Sequence, residues 1–334
     1  MNIEERKIFV PCYKDNINGV FEKLARDNFS EYTKRELLKE LGDFRGGFYN
    51  PFLSALKTLF GSTNAKQGYF YEKRMYAVYK TLKELGIDCK SDICNEILLE
   101  YAGITNYEMS EDFSKIVLAE LELPKKVFSK LPNISKKLFY KKKSREIFTL
   151  EMRKIFDLMV EYFEEDVVTY KRDIDHCIIK DEKIFIVESK TKERHQPHNA
   201  YGDVKKLLET WAGLTYALLK KSKSSDKNIV VDWDTIGMLF VMNELTTEET
   251  IKYVKYFPPF YSNNLNKGGA ISGRDFYWYF FGVDYDDILA VEKYLSGYVA
   301  HHAVTLINDL EKTLKKSIKS ANEEFNTYIE NISE

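Results

Sequence analysis

The stretch DIDHCIIKDEKIFIVESKTK, residues 173–192, sets Asp175, Glu188 and Lys190 into two apolar runs joined by the polar segment KDEK. Side chains alternate across a strand, so Glu188 and Lys190 share one face of the second run, and a hairpin turning at KDEK brings Asp175 beside Glu188. A buried charge is costly unless it is paired or binds a metal. Two explanations follow. Either the hairpin lies at an edge where its charges reach water, or it carries a metal-dependent site. In the second case the two carboxylates offer oxygen ligands to a hard cation such as Mg2+, and the ammonium neutralises charge on a phosphate.

Outward from the hairpin, REIFTLEMRKIFDLMVEYFEE (145–165) predicts an amphipathic helix and DVVTY (166–170) a strand before it. YGDVKKLLETWAGLTYALLKK (201–221) predicts a helix after it, then the apolar strand TIGMLFVMN (235–243) and a Thr-capped helix, TTEETIKYVKYF. Helix, three strands, helix and strand make an α/β layer arrangement, a mixed central sheet with helices on both faces. Upstream, residues 15–123 read as mostly helical, with SEYTKRELLKELG (30–42) and YFYEKRMYAVYKTLKELG (69–86) each closing on glycine around the turn-rich FRGGFYNP. Residues 89–123 are acidic overall, whereas 125–145 hold nine Lys or Arg and no acid. That basic run reads as a solvated linker or as a phosphate-contacting arm, with Phe128, Phe139 and Tyr140 interleaved. YSNNLNKGGAISGRDFYWYFFG (261–282) reads as a polar, glycine-rich loop, either a surface turn or a DNA-groove loop bearing Lys267 and Arg274. Residues 301–334 read as one long helix or a pair, with a possible dimer surface.

Composition narrows the class. Hydrophobic residues at 44% and charged residues at 31% are those of a globular chain, and a net charge of -2 excludes a uniformly basic nucleic-acid coat but not a local groove. MNIEERKIFV does not read as a signal peptide, and the longest apolar run, IGMLFVM, is too short to span a bilayer. Cys12, Cys89, Cys94 and Cys177 are scattered without paired zinc-ligand spacing, so reduced thiols and a cytoplasmic location are expected.

DID followed by VESK on a hairpin, with a helix before and a helix after, resembles the PD-(D/E)xK nuclease superfamily over roughly residues 145–245. The resemblance implies a restriction-endonuclease-like core at 145–245, between a mainly helical region at 1–144 that could recognise DNA and a helical extension at 246–334. It implies Asp175 and Glu188 as Mg2+ ligands and Lys190 as the catalytic lysine. Asp173 competes with Asp175, and Glu151, or more distantly Glu72, would supply a further metal-facing acid from a helix before the hairpin. No proline precedes the aspartate, which many members also lack. Residues 200–221 contain no Gln, unlike a branch of recombination exonucleases. Basic and polar residues around the site, Lys192, Arg194, His195 and Gln196 with Lys141, Lys142 and Lys143, would meet the DNA backbone.

Other clusters carry less. His195 and His198 are separated by Pro197, which breaks a helical metal pair. Asp232 and Asp234 bound a strand, and His301 and His302 face different ways on a helix. The expectation is a type II restriction endonuclease that cuts double-stranded DNA, with large flanking segments to read bases, no ATPase motif, a homodimer, a cognate DNA methyltransferase in the cell and no membrane partner. A structure-selective or transposon-end nuclease and a non-catalytic DNA-binding protein are the alternatives.

Overall fold

A computed structural model describes residues 1–28, 70–110, 116–140, 145–190, 197–224, 230–243, 246, 248–250, 257–258, 260 and 268–333. The chain divides into two compact units, Met1–Phe9 with Tyr71–Tyr285, and Val10–Phe70 with Asp286–Glu334. Helices α1 (Ile3–Asn28) and α8 (Tyr285–Ser333) supply the described helical body of the second. Within that unit Tyr13, Ile17 and Val20 of α1 are buried, as are Ile288, Val291 and Leu295 of α8, and the Tyr13 hydroxyl donates to Glu292 at 2.8 Å. The C-terminal region is thus a single 49-residue helix.

The first unit is mixed α/β. Its elements run α2 (70–84), β1 (Asp92–Ile93), α3 (Asn95–Ala102), β2 (Tyr107–Met109), β3 (Val117–Pro124), α4 (Lys125–Tyr140), α5 (Arg145–Glu161), β4 (Val167–Ile174), β5 (His176–Lys180) and β6 (Lys183–Lys190). They continue through α6 (Pro197–Ser224), β7 (Ile236–Met242), β8 (Gly268–Ser272), α7 (Gly273–Phe276) and a single π turn, Tyr277–Phe281. Five strands form a mixed sheet in the order β1-β5-β6-β7-β8, with β6, β7 and β8 parallel, and three form an antiparallel sheet, β2-β3-β4. All seven residues of β7 are buried, as a strand between two parallel neighbours and covered on both faces requires. The β5–β6 hairpin closes through Asp181 and Glu182, both at positive φ (49° and 61°), which is the type I′ geometry that matches strand twist.

Three expectations give way here. Residues 117–124 are not helical: VLAELELP alternates buried and half-buried positions and pairs along its whole length with β4. Residues 125–140 are neither a linker nor an arm but helix α4, because Val127, Leu131 and Ile134 recur at helical spacing beneath the charge and are buried. Its Lys125 and Lys126 pair with Asp166 and Glu165 at 3.2 and 2.6 Å. GGAIS, read as part of a loop, is strand β8. SEYTKRELLKELG, FRGGFYNP, Lys141, Lys142, Lys143 and Lys267 lie outside the described residues, as do the side chains of His301 and His302. Asp232 and Asp234 belong to a turn in which Asp232 caps the amide of Trp233 at 2.6 Å, and no metal group forms there among the described residues.

Helix α6 covers β6 and β7 and reaches β3 of the other sheet. A side chain at Gly213 would fall 2.8 Å from Leu121 Cβ and 2.7 Å from the Tyr170 hydroxyl, so the helix backbone lies against the strands. Glu209, 2% exposed, accepts the guanidinium of Arg172 on β4 and ties α6 to that sheet. Glu209→Ala is expected to cost about 3 kcal/mol by urea denaturation, because it strands a partly buried guanidinium. Lys220→Ala, which breaks the half-exposed pair with Glu122, should stay under about 1 kcal/mol. Equal costs would show that Glu209 is no tie.

Candidate active site

Asp175 is the one residue between β4 and β5, where the chain leaves the three-stranded sheet and enters the five-stranded one. Asn95, at the start of α3, fixes that joint: its Nδ2 donates to the Asp175 carbonyl at 3.3 Å and its Oδ1 accepts from the Cys177 amide. Asn95 is itself 5% exposed, and nothing in the sequence around it singled it out. The hairpin register pairs His176 with Val187, and one step further along the ladder sets Asp175 across from Glu188. Both acids are 3% exposed. Asp173 is exposed and pairs with Leu118 on β3, away from Glu188. The joint thus sets Asp175, and not Asp173, across from Glu188.

Lysine 206 enters this site from α6, unforeseen from the sequence. Its Nζ lies 3.3 Å from Asp175 Oδ1 and 3.5 Å from Glu188 Oε2. The sequence signal, in retrospect, is a lysine set between the buried Val204 and Leu207 of a core helix. Lys205, its neighbour, turns instead to Glu209 at 3.6 Å. Asp175 Oδ2 is buried with no hydrogen-bond partner among the described residues. An orphaned carboxylate oxygen beside a second buried carboxylate fits a hard divalent cation, which takes oxygen ligands and supplies the missing charge. Asp175 and Glu188 are the residues that would hold it.

Glutamate 151 is buried at 4% exposure and pairs with Lys154 of its own helix at 3.4 Å. It lies over the same face of the sheet as Glu188. Phe148, one turn earlier on α5, meets Phe257, which stacks on Phe240, the β7 neighbour of Glu188. It does not gather with Asp175 and Glu188: among the described residues no three His, Cys, Asp or Glu side chains form a metal-holding group. Glu72 does not join them either. Its carbonyl is bonded to His176 Nε2 at 2.9 Å. Full burial pushes the His176 imidazole down to about 4, so it stays neutral.

Lys190 ends β6 opposite Met242, two residues beyond Glu188. Its side chain, like Lys192, Arg194, His195 and Gln196 and the side chain of His198, lies outside the described residues. Ser189 points the other way and accepts from Asn243 Nδ2 at 2.7 Å. Arg74, 3% exposed, donates to Asn243 Oδ1 at 3.5 Å and to the Tyr285 hydroxyl at 2.9 Å, so the strand ends carrying the site rest on a buried polar network. Arg274 is exposed on α7, its guanidinium 5.9 Å from the Tyr285 ring centroid. No helix among the described residues is long and apolar enough to cross a membrane.

Comparison with protein-family models, with curated protein sequences and with solved structures finds no match for this chain.

Proposed function

We propose that the chain is a Mg2+-dependent endonuclease for double-stranded DNA, with a PD-(D/E)xK core and the habit of a type II restriction enzyme. One observation carries the reading: Asp175 and Glu188 meet across a hairpin at a strand joint, buried, with a carboxylate oxygen left over. The order of elements supports it too, with a helix, the hairpin, a covering helix and a parallel strand in sequence. A bound Mg2+ would polarise the phosphodiester and lower the pKa of a water ligand. Asp175 and Glu188 would hold the ion, Asn95 keeps the Asp175 backbone at its bend, and Lys190, two residues beyond Glu188 on β6, would offset charge on the phosphate. Base reading by the flanking segments, a homodimer and a partner methyltransferase belong to the same proposal.

A second reading has its own support. Lys206 partly neutralises the two acids, so the cluster could be a purely structural ion triad in a non-catalytic DNA-binding protein. A single gel separates the two. Purified protein is incubated with large unmethylated phage DNA and Mg2+, beside Lys190→Ala and an EDTA control. Discrete fragments from the wild type with Mg2+ alone are expected. A smear would remove the restriction habit and leave a nuclease. Intact DNA in every lane, including with branched substrates, would sink the enzymatic reading.

A further inference from the structure

We infer that Lys206 is the resident counter-ion of the candidate metal site, and that a divalent cation and the Lys206 ion pairs exclude each other. The inference rests on Asp175 and Glu188 being metal ligands and adds how the site is regulated. Two carboxylates facing one another in a dry site repel. The Lys206 ammonium offsets this by bridging them, at 3.3 Å from Asp175 and 3.5 Å from Glu188. It does so incompletely. Asp175 Oδ2 takes no part in the bridge and is buried with no hydrogen-bond partner among the described residues.

The bridge is also built to be released. The Lys206 side chain is 27% exposed, while the acids' side chains are only 2% and 3% exposed, so the ammonium reaches in from the wet side of α6 and can return to water. Its neighbour Lys205 serves a different acid, Glu209 at 3.6 Å, so the helix assigns one lysine to the site and one to the scaffold. A dication on the same carboxylates would sit close to the ammonium and repel it strongly in a low dielectric. Two ligands of one site that disfavour each other do so reciprocally. Whatever affinity Lys206 removes from the cation, the cation removes from the ion pairs. Lys206 thus holds the hairpin together while the site is empty and sets the metal concentration at which it fills.

The test needs no cleavage. Mn2+ binding to the full chain is measured by titration calorimetry without DNA, and melting is followed in EDTA, for the wild type, Lys206→Met, Lys205→Met and Asp175→Asn. Lys206→Met should bind Mn2+ roughly tenfold tighter than the wild type, the size of a typical coupling between two sites. It should melt lower in EDTA and regain the difference in saturating Mn2+. Lys205→Met should keep wild-type affinity, and Asp175→Asn should lose the binding. Should Lys206→Met fail to fold in EDTA, folding in Mn2+ is expected, and failure in both overturns the inference. Equal Mn2+ affinity in wild type and Lys206→Met would overturn the inference and leave the ligand reading standing. No Mn2+ binding by either protein, or binding unchanged in Asp175→Asn, would overturn both.

Discussion

Glu188→Gln is expected to stop DNA cleavage and to leave the fold at least as stable as the wild type. The two halves have one cause. Asp175 and Glu188 are each 3% exposed and share Lys206, so the wild type holds two like charges close together in a dry place. Removing one carboxylate leaves Asp175 its contact with Lys206, and the repulsion and desolvation cost of the second acid disappear. For catalysis the same change removes half of the ligand pair. The loss of several kcal/mol of charge stabilisation corresponds to a fall of roughly 10^3 in rate. Nicking of supercoiled plasmid and the melting temperature, measured on the same preparation, check both halves. A structural triad predicts the reverse stability result. If Glu188→Gln melts well below the wild type, the acids hold the fold and the enzymatic proposal loses its main support.

That pairing was legible in advance for a simple reason. A two-residue turn between β5 and β6 fixes the register, and counting back from it sets residue 175 opposite residue 188. Strand β7 was legible because IGMLFVM is continuously apolar, and α5 and α6 because their apolar residues recur at helical spacing. Lys206 was not legible. It lies 31 residues from Asp175, and which face of α6 meets the hairpin depends on how the crossover packs. Asn95 is 80 residues away and its role is set by the same kind of tertiary contact. Strand β3 was misread because Leu, Ala and Glu are strong helix formers, and only the pairing with β4 overrides that preference. Helix α4 was hidden differently. Its lysines dominated the composition and obscured the buried Val127, Leu131 and Ile134.

Strand β8 was misread because its first two residues are glycines, which in a sequence signal a loop. At this position they are a condition for the strand. Gly268 has φ +63°, and a Cβ there would fall 1.9 Å from the Met238 carbonyl oxygen, its register partner on β7. On the far side, backbone bonds between Ala270 and both Pro258 and Phe260, at 2.9 Å each, prevent the strand from moving outward. Gly268→Ala therefore cannot relax locally and should detach β8 from β7, at a cost of at least about 3 kcal/mol. The same substitution at Gly297 should act in the opposite direction. That glycine lies in helix α8, exposed, with nothing within 4 Å of an added Cβ, and alanine there gains up to about 1 kcal/mol of helix propensity. The two effects can be read separately, since Trp211, Trp233 and Trp278 all lie in the first compact unit and report its unfolding by fluorescence. A Gly268→Ala midpoint within 1 kcal/mol of the wild type would mean that β8 is dispensable to the sheet. If instead the strand is lost, Met238 and Phe240 of β7 lose a flank, and Phe240 is the residue beside Glu188. The site should then fail with the sheet, and Gly268→Ala should lose Mn2+ binding although it alters no candidate ligand.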